Sequence, residues 1–234
     1  PPELSTLTRH LHQIEAALEA GITNIYADFE DIRRYKEAVD IVRNSGTKSK
    51  IHLATPRIQK PGEAGYFKFI DRTEPDGVLI RNLGALTHFA NRDGLYLTGD
   101  FSLNCANPAT AKILIEEAKL DHLTLSYDLN VNQLLDMLNA APPEWFELTL
   151  HQHMPMFHME HCVFCTFMSE GTTYKDCGRP CEKHKVQLRD RVGQLHTLAA
   201  DVGCRNTLFN GRAQTGARFY NEVRQTGLSR YRID

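Results

Sequence analysis

Short strand patterns recurring at intervals of roughly 20–27 residues, helical patterns between them, and polar residues just past successive strand ends predict an α/β fold of parallel βαβ crossovers. The expected architecture is a (β/α) TIM-barrel-like domain, partial in this chain, with a Cys/His-rich metal-binding segment after its sixth strand. An open doubly wound sheet is the second choice. No Gly-x-Gly-x-x-Gly follows the first strand, which removes the main positive sign of a dinucleotide fold.

The elements follow in order. Leu7, Leu11, Ile14 and Leu18 recur at helical spacing, so residues 7–20 read as a helix. A strand follows at Asn24–Ala27, a helical pattern at 32–43, a strand at Lys50–Ala54 and a weak helix at 62–73. Further strands are expected at Gly77–Ile80, 95–98, 123–126 and 146–150, with helices at 109–118 and Val131–Ala140 between the last three. Asn130 with Gln133 three residues later has the form of a capping box. Residues 1–150 are thus the barrel region and 151–209 the Cys/His-rich segment. Within that segment a helix is expected at 183–192 and a short strand at 198–202. Residues 210–234 read as a basic tail or a linker to a missing region. The chain opens Pro1-Pro2 and enters a helical pattern at once, which suggests a piece excised from a longer protein, whose other domain is a candidate partner.

The 234 residues are 41% hydrophobic and 24% charged, enough for one large α/β domain or two small ones. A formal net charge of −2 supplies no electrostatic argument for a nucleic-acid partner, though it leaves room for a local basic patch. No run approaches the ~18 apolar residues of a membrane helix, and no signal peptide opens the chain. The expectation is no membrane and a cytoplasmic protein.

Parallel β/α folds gather function where strands end. Here those ends carry Asp28 and Glu30, Thr55 and Arg57, Arg81 and Asn82, Asp100, Ser126 and Asp128, then His151 and His153. Any one of them suits a cap or turn. Their recurrence reads as the rim of one active-site mouth. His151, His153, Asp100 and Asp128 are the candidate catalytic groups there, and Arg81, Asn104 and Ser126 the candidate substrate contacts. Arg81 would pair with an anionic group, a geometry that guanidinium suits.

Of six cysteines, Cys162, Cys165, Cys177 and Cys181 fall within twenty residues, Cys204 follows Gly203, and Cys105 stands alone. A Cys-x-x-Cys turn aims two thiolates at one point, and a second close pair completes a four-sulfur set. Cys204 is a possible fifth ligand. Such clustering without a secretion signal favours metal ligation over disulfides. Structural zinc fits four thiolates; so does a [4Fe–4S] cluster, for which Phe157, Phe164, Phe167 and nearby methionines would form an apolar shell. The cysteines could also be simply buried small residues. A zinc hydrolase would use His residues with Glu160 as base, but His-Glu-x-x-His is absent.

The run His151-Gln152-His153-Met154-Pro155-Met156-Phe157-His158-Met159-Glu160-His161-Cys162-Val163-Phe164-Cys165, with Asp176-Cys177-Gly178-Arg179-Pro180-Cys181-Glu182, resembles the collagenase-like U32 peptidase family. The strand-end segments 99–104 and 125–130 resemble it too. The family is named for proteolysis. The resemblance also implies iron–sulfur relatives that hydroxylate ubiquinone precursors or bases of ribosomal and transfer RNA, with prephenate as a suggested oxygen donor. Cys162, Cys177, Cys181 and Cys204 match the thiol positions of that pattern, whereas Cys165 departs from it, following Cys162 after only two residues. The favoured expectation is an iron–sulfur hydroxylation-type enzyme on RNA or a small-molecule substrate such as a quinone precursor. A peptidase and a zinc-stapled binding module are the alternatives.

Overall fold

Alternation along each strand sorts the side chains to two faces. One face meets helices: Ile25, Ala27, Ile51, Leu53, Val78, Ile80, Leu123 and Phe146 share one apolar cluster with Leu11, Ile14, Val39, Phe67, Phe89 and Met137. Burying each of the Val, Leu, Ile, Phe and Met side chains among them stabilises by about 1.5–3 kcal/mol over leaving it exposed.

The computed structural model describes residues 1–90 and 92–234, divided into two units: residues 1–151 with 215–234, and residues 152–214. The first unit runs β1 (Glu3–Thr8), α1 (Leu11–Glu19), β2 (Asn24–Ala27), α2 (Tyr35–Asn44), β3 (Lys50–Ala54), α3 (Gly65–Thr73), β4 (Gly77–Ile80), α4 (Leu83–Phe89), β5 (Tyr96–Gly99), α5 (Pro108–Lys112), β6 (His122–Thr124), α6 (Val131–Ala140) and β7 (Phe146–Gln152). The second unit holds β8 (Pro155–Met159), α7 (Val163–Met168), β9 (Val186–Arg189), β10 (Leu195–Asp201) and β11 (Arg205–Phe209). After the short β12 (Gln214–Thr215) the chain completes the first unit with α8 (Tyr220–Gln225) and β13 (Arg230–Ile233). Strands β1 to β7 and β13 form a closed, eight-stranded parallel barrel, because β13 pairs with β1 and β7 while β6 pairs with β7. This is the TIM-barrel fold.

Several expectations need correction. The barrel is closed in this chain, not partial, and the supposed tail supplies the strand that closes it: Arg230 stands opposite both Glu3 and Glu147. Leu7 belongs to β1, and the first helix starts at Leu11. Its spacing to Leu11 fits a helix by coincidence, while the partners that make β1 a strand lie on β2 and β13. The Cys/His-rich segment therefore follows the seventh barrel strand, not the sixth. Helix α4 was not expected; Asn82 caps it by accepting the Ala85 N–H at 2.8 Å. The helix expected at 183–192 is instead β9 and a hairpin turn. Asp190 accepts from the backbone of Val192 and Gln194, and Gly193 takes φ 88°, so the chain reverses into β10. The capping box of α6 is present as read, with Asn130 Oδ1 accepting from Gln133 N and Gln133 Oε1 from Asn130 N.

The second unit is an antiparallel sheet in the order β8-β11-β10-β9. Phe164 of α7 packs with Leu198 and Leu208 as its small core, joined by Met156, Met159 and Val186. Among the described residues no helix is long and apolar enough to cross a membrane.

Candidate functional site

The other face of the barrel strands is unusually polar. Asn24, Tyr26 and Asp28 alternate on β2 and its end, Tyr96, Thr98 and Asp100 on β5, His122, Thr124 and Ser126 on β6, and Arg230, Arg232 and Asp234 on β13. Barrel interiors are usually filled by branched apolar residues. Here, among the described residues, Leu7, Ala54 and Leu79 with the Tyr26 ring form a small apolar cluster within a lumen of ion pairs.

Arg81, at the end of β4, reaches Asp28 with two N–H groups at 2.7 and 3.1 Å and Asp100 with a third at 2.8 Å. Arg9 adds a pair to Asp28 at 2.8 Å. Arg232 binds Asp100 at 3.0 Å, Glu147 at 3.3 Å and Asp234 at 2.7 Å. Buried charges of this kind persist only when paired and hydrogen-bonded. Burial alone would raise the Asp28 carboxyl, but Arg81 and Arg9 hold it well below the usual carboxylate range. Burial likewise acts against Asp100, and Arg232 with Arg81 outweighs it and holds that carboxyl low. Both stay ionised. Deeper in the lumen, Glu147 accepts from Ser5 at 2.7 Å and Tyr26 at 3.2 Å, and His122 lies between the Tyr26 and Tyr96 hydroxyls at 3.3 and 2.9 Å.

At the carboxyl mouth Phe101 and Tyr127 pack with ring centroids 4.2 Å apart, and Arg57 lies 5.1 Å from the Phe101 centroid. The Tyr127 hydroxyl is buried without a hydrogen-bond partner. Burial pushes its pKa up, so it is a neutral phenol able to donate. Aromatic rings beside an arginine suit contact with a flat, ring-bearing molecule.

The structure distributes the sequence candidates unevenly. Asp100 and Arg81 meet in the buried network, so Arg81 is committed to two carboxylates and is not an open anion clamp. Ser126 is buried, and its hydroxyl accepts from the Asp128 backbone N–H at 3.3 Å; Asp128 itself is exposed. Asn104 is exposed, with φ 53°, and ends the short turn Phe101–Leu103. His151 is exposed at the end of β7, and its carbonyl accepts from Asp234 N at 3.0 Å. In the second unit His153 Nδ1 lies 2.8 Å from the Asn210 carbonyl, and Glu160 is engaged by the buried Arg205 at 2.6 Å. That pairing leaves Glu160 poorly suited to act as a general base.

The thiols of the second unit gather at one end of its sheet. Cys162 caps α7, accepting from Cys165 N at 3.4 Å, while Asn206 Oδ1 accepts from Val163 N at 2.7 Å. Cys165 Sγ lies 3.2 Å from the Gly171 carbonyl. Partial desolvation, then Cys177 and Cys162 beside it, raise the Cys165 thiol. Cys181, in the turn Pro180–Glu182, packs with Cys162 against the Phe164 core. Cys204 occupies the β10–β11 turn at φ 59°, next to Arg205, which reaches Glu160 just before His161 and Cys162. Neighbouring thiols on an apolar shell suit a soft metal or an iron–sulfur cluster in donor type. Among the described residues, however, no three His, Cys, Asp or Glu side chains close into a group that could hold a metal ion. Cys105 belongs instead to the barrel core, where burial pushes its thiol up to about 11.

Comparison with known proteins adds a fold. A solved structure of the U32 peptidase Mk0906 matches with a TM-score of 0.53 at 13% identity, covering 66% of this chain and 70% of that one. A structure described as the copper homeostasis protein CutC from Streptococcus agalactiae matches with a TM-score of 0.54 at 10% identity, covering 100% of this chain and 98% of that one. The likeness is one of fold. No family model matches the chain, and no curated protein matches it.

Sequence reading missed Arg232, Glu147, Tyr26, His52 and His122. Their signal was present as polar residues two apart along strands, such as Arg230, Arg232 and Asp234, which a search for strand-end residues passes over.

Proposed function

We propose that this chain is the catalytic part of a barrel enzyme of the U32 type, in which Cys162, Cys165, Cys177 and Cys181, with Cys204 as a possible fifth ligand, hold a [4Fe–4S] cluster. The reaction is of hydroxylation type, on an RNA base or a small quinone precursor, in a reducing compartment. One observation supports the reading: Cys162 and Cys177 lie beside Cys165, and Cys162 and Cys181 pack on one apolar core, while Glu160, the residue a hydrolytic route would use, is tied to Arg205. Cys162, Cys165, Cys177 and Cys181 would hold the cluster, which would supply electron exchange, a capacity that water-activating hydrolysis does not need. The chain's own residues supply the rest. Phe101, Tyr127 and Arg57 together form a ring-and-cation surface at the mouth against which the substrate ring would lie. The ionised Asp28 and Asp100 hold the arginines of the mouth in place.

Anaerobic purification followed by iron, sulfide and zinc analysis tests this directly. The expected result is a brown protein with about four irons and four sulfides per chain, lost in Cys162→Ala and Cys177→Ala together with activity on RNA or a quinone-like substrate. A colourless protein with a single zinc would replace the cluster by a structural metal. Cleavage of denatured collagen that survives both cysteine changes but fails in Glu160→Gln would make the protein a peptidase.

A further inference from the structure

The small net charge of the chain hides a local excess. Lys183, Lys185, Arg189 and Arg191 fall within nine residues, all exposed, against a single acid, Asp190. We infer that the β9–β10 hairpin is a docking surface for the phosphate backbone of a single-stranded nucleic acid.

The cations lack counter-charges. Residues 152–214 contain six carboxylates, and five are engaged within the unit. Glu160 pairs with Arg205, Glu182 with Arg179 and Asp190 with His196. Asp176 accepts from the backbone of Thr172 and Thr173, and Asp201 from the Thr207 hydroxyl. The four hairpin cations form no ion pair among the described residues. Ordinary surfaces intersperse the two signs, whereas a patch of one sign attracts a polyanion.

The geometry spreads these cations over an open surface. β9 is the last strand of its sheet and pairs with β10 alone. The cross-strand pairs Arg189–Leu195 and Gln187–Thr197 stand on one face, and all four residues are exposed. Gly211 lies so close to the Leu195 carbonyl that no side chain would fit there, and Arg212 Nε donates to Gln194 Oε1 at 3.3 Å. Arg212 thereby joins Arg189 and Arg191 at the hairpin turn. Guanidinium forks match phosphate oxygens, and Gln187 and Thr197 between them offer hydrogen bonds to sugar and base edges. A single phosphate would occupy one fork; a row of cations suits a chain of phosphates. An anionic membrane would want an apolar face to insert, and of the four residues on this face only Leu195 is apolar.

The basic run begins two residues after Cys181, and Val186 of β9 packs on the core that Cys162 and Cys181 share. A strand lying along β9 leads toward the thiol end. That this strand is the substrate, and therefore RNA rather than a free quinone precursor, rests on the function proposed above; the surface itself rests on charge and geometry.

Fluorescence anisotropy of a labelled single-stranded RNA of about twenty nucleotides, titrated with the purified chain at several salt concentrations, tests it. Affinity should fall with salt with a log–log slope of about −2 to −3, as three or four phosphate contacts require. Arg189→Glu with Arg191→Glu should weaken binding at least about tenfold and flatten that slope by about 1 to 2. Lys183→Gln with Lys185→Gln is the second variant should the first not fold, as thermal melts will show. Lys68→Glu with Arg72→Glu, the same change of charge on exposed positions of α3, should keep binding within about twofold. DNA of the same sequence should bind no tighter than RNA; a preference for DNA would sink the substrate assignment. Salt-insensitive binding, binding unchanged by both hairpin variants, an equal loss in the α3 variant, or capture of phosphatidylserine vesicles or polyglutamate in place of RNA would overturn the inference. Iron and sulfide content should be the same in the hairpin variants as in the parent. A brown, cluster-loaded protein that binds no RNA would defeat this surface and leave the cluster standing. RNA binding that depends on the arginines in a colourless protein would uphold the surface and remove the cluster.

Discussion

The barrel lumen and the thiol end of the small unit are both polar clusters, but they are built in opposite ways. The lumen draws Asp28, Arg81, Asp100, Glu147 and Arg232 from five strands spread over two hundred residues, and their charged groups meet at 2.7–3.3 Å. The thiols come from twenty consecutive residues plus Cys204, yet no three of them close into a metal-holding group among the described residues. A network of fixed charges must be complete when the chain folds, because each unpaired member would be a buried ion. Thiols in a partly exposed loop carry no such penalty and can be drawn together by what they bind. Density in sequence and completeness in space are separate properties here.

The comparison breaks most readily at Arg232. Arg232→Met leaves Asp100 and Glu147 without their shared cation, and should cost about 3–5 kcal/mol, read as a fall in Tm on the order of 10 °C. A loss below about 1 kcal/mol in urea unfolding would mean that the lumen charges are not held as the geometry states.

Acid titration sharpens the same side. His52 and His122 are depressed in the folded state to about 4 and about 3, whereas an unfolded histidine titrates near 6.5. The unfolded chain therefore binds more protons between those values, so their contribution to stability is complete above about pH 6.5 and is lost as pH falls toward 4. Asp28 and Asp100, held low, add a further loss only as pH falls below about 4. Tm should drop by roughly 5–10 °C between pH 7 and pH 5, and His52→Leu should flatten that slope. An unchanged Tm over this interval would contradict the burial of the two imidazoles.

A local element gives a smaller effect. Asn130→Ala removes the α6 cap and should cost about 1 kcal/mol, seen in chemical denaturation. Least of all, Cys165→Ala in metal-free protein should move Tm by no more than about a degree, as surface substitutions do. A large loss there would show that the thiol end is already a packed, finished structure, and the contrast with the lumen would disappear.

Local rules made much of this molecule readable. The α6 boundaries and its capping box, the strands Asn24–Ala27, Lys50–Ala54 and Gly77–Ile80, and the grouping of thiols all follow from short-range periodicity and spacing. β1 was not readable in that way, since Leu7 fits a helical stripe and only pairing with β2 and β13 makes it a strand. Nor was the closing role of residues 230–233, polar and far along the chain, whose burial depends on the lumen that receives them. The sequence by itself determined the βα alternation, the polar strand ends and the clustering of thiols in residues 162–181, because those rest on neighbours a few positions apart. Tertiary structure alone decided that the barrel closes, that Arg81 and Glu160 are bound by internal partners, and that the lumen is charged. Each depends on which distant side chains meet, and in a buried site it is that meeting that determines whether a charge is tolerated.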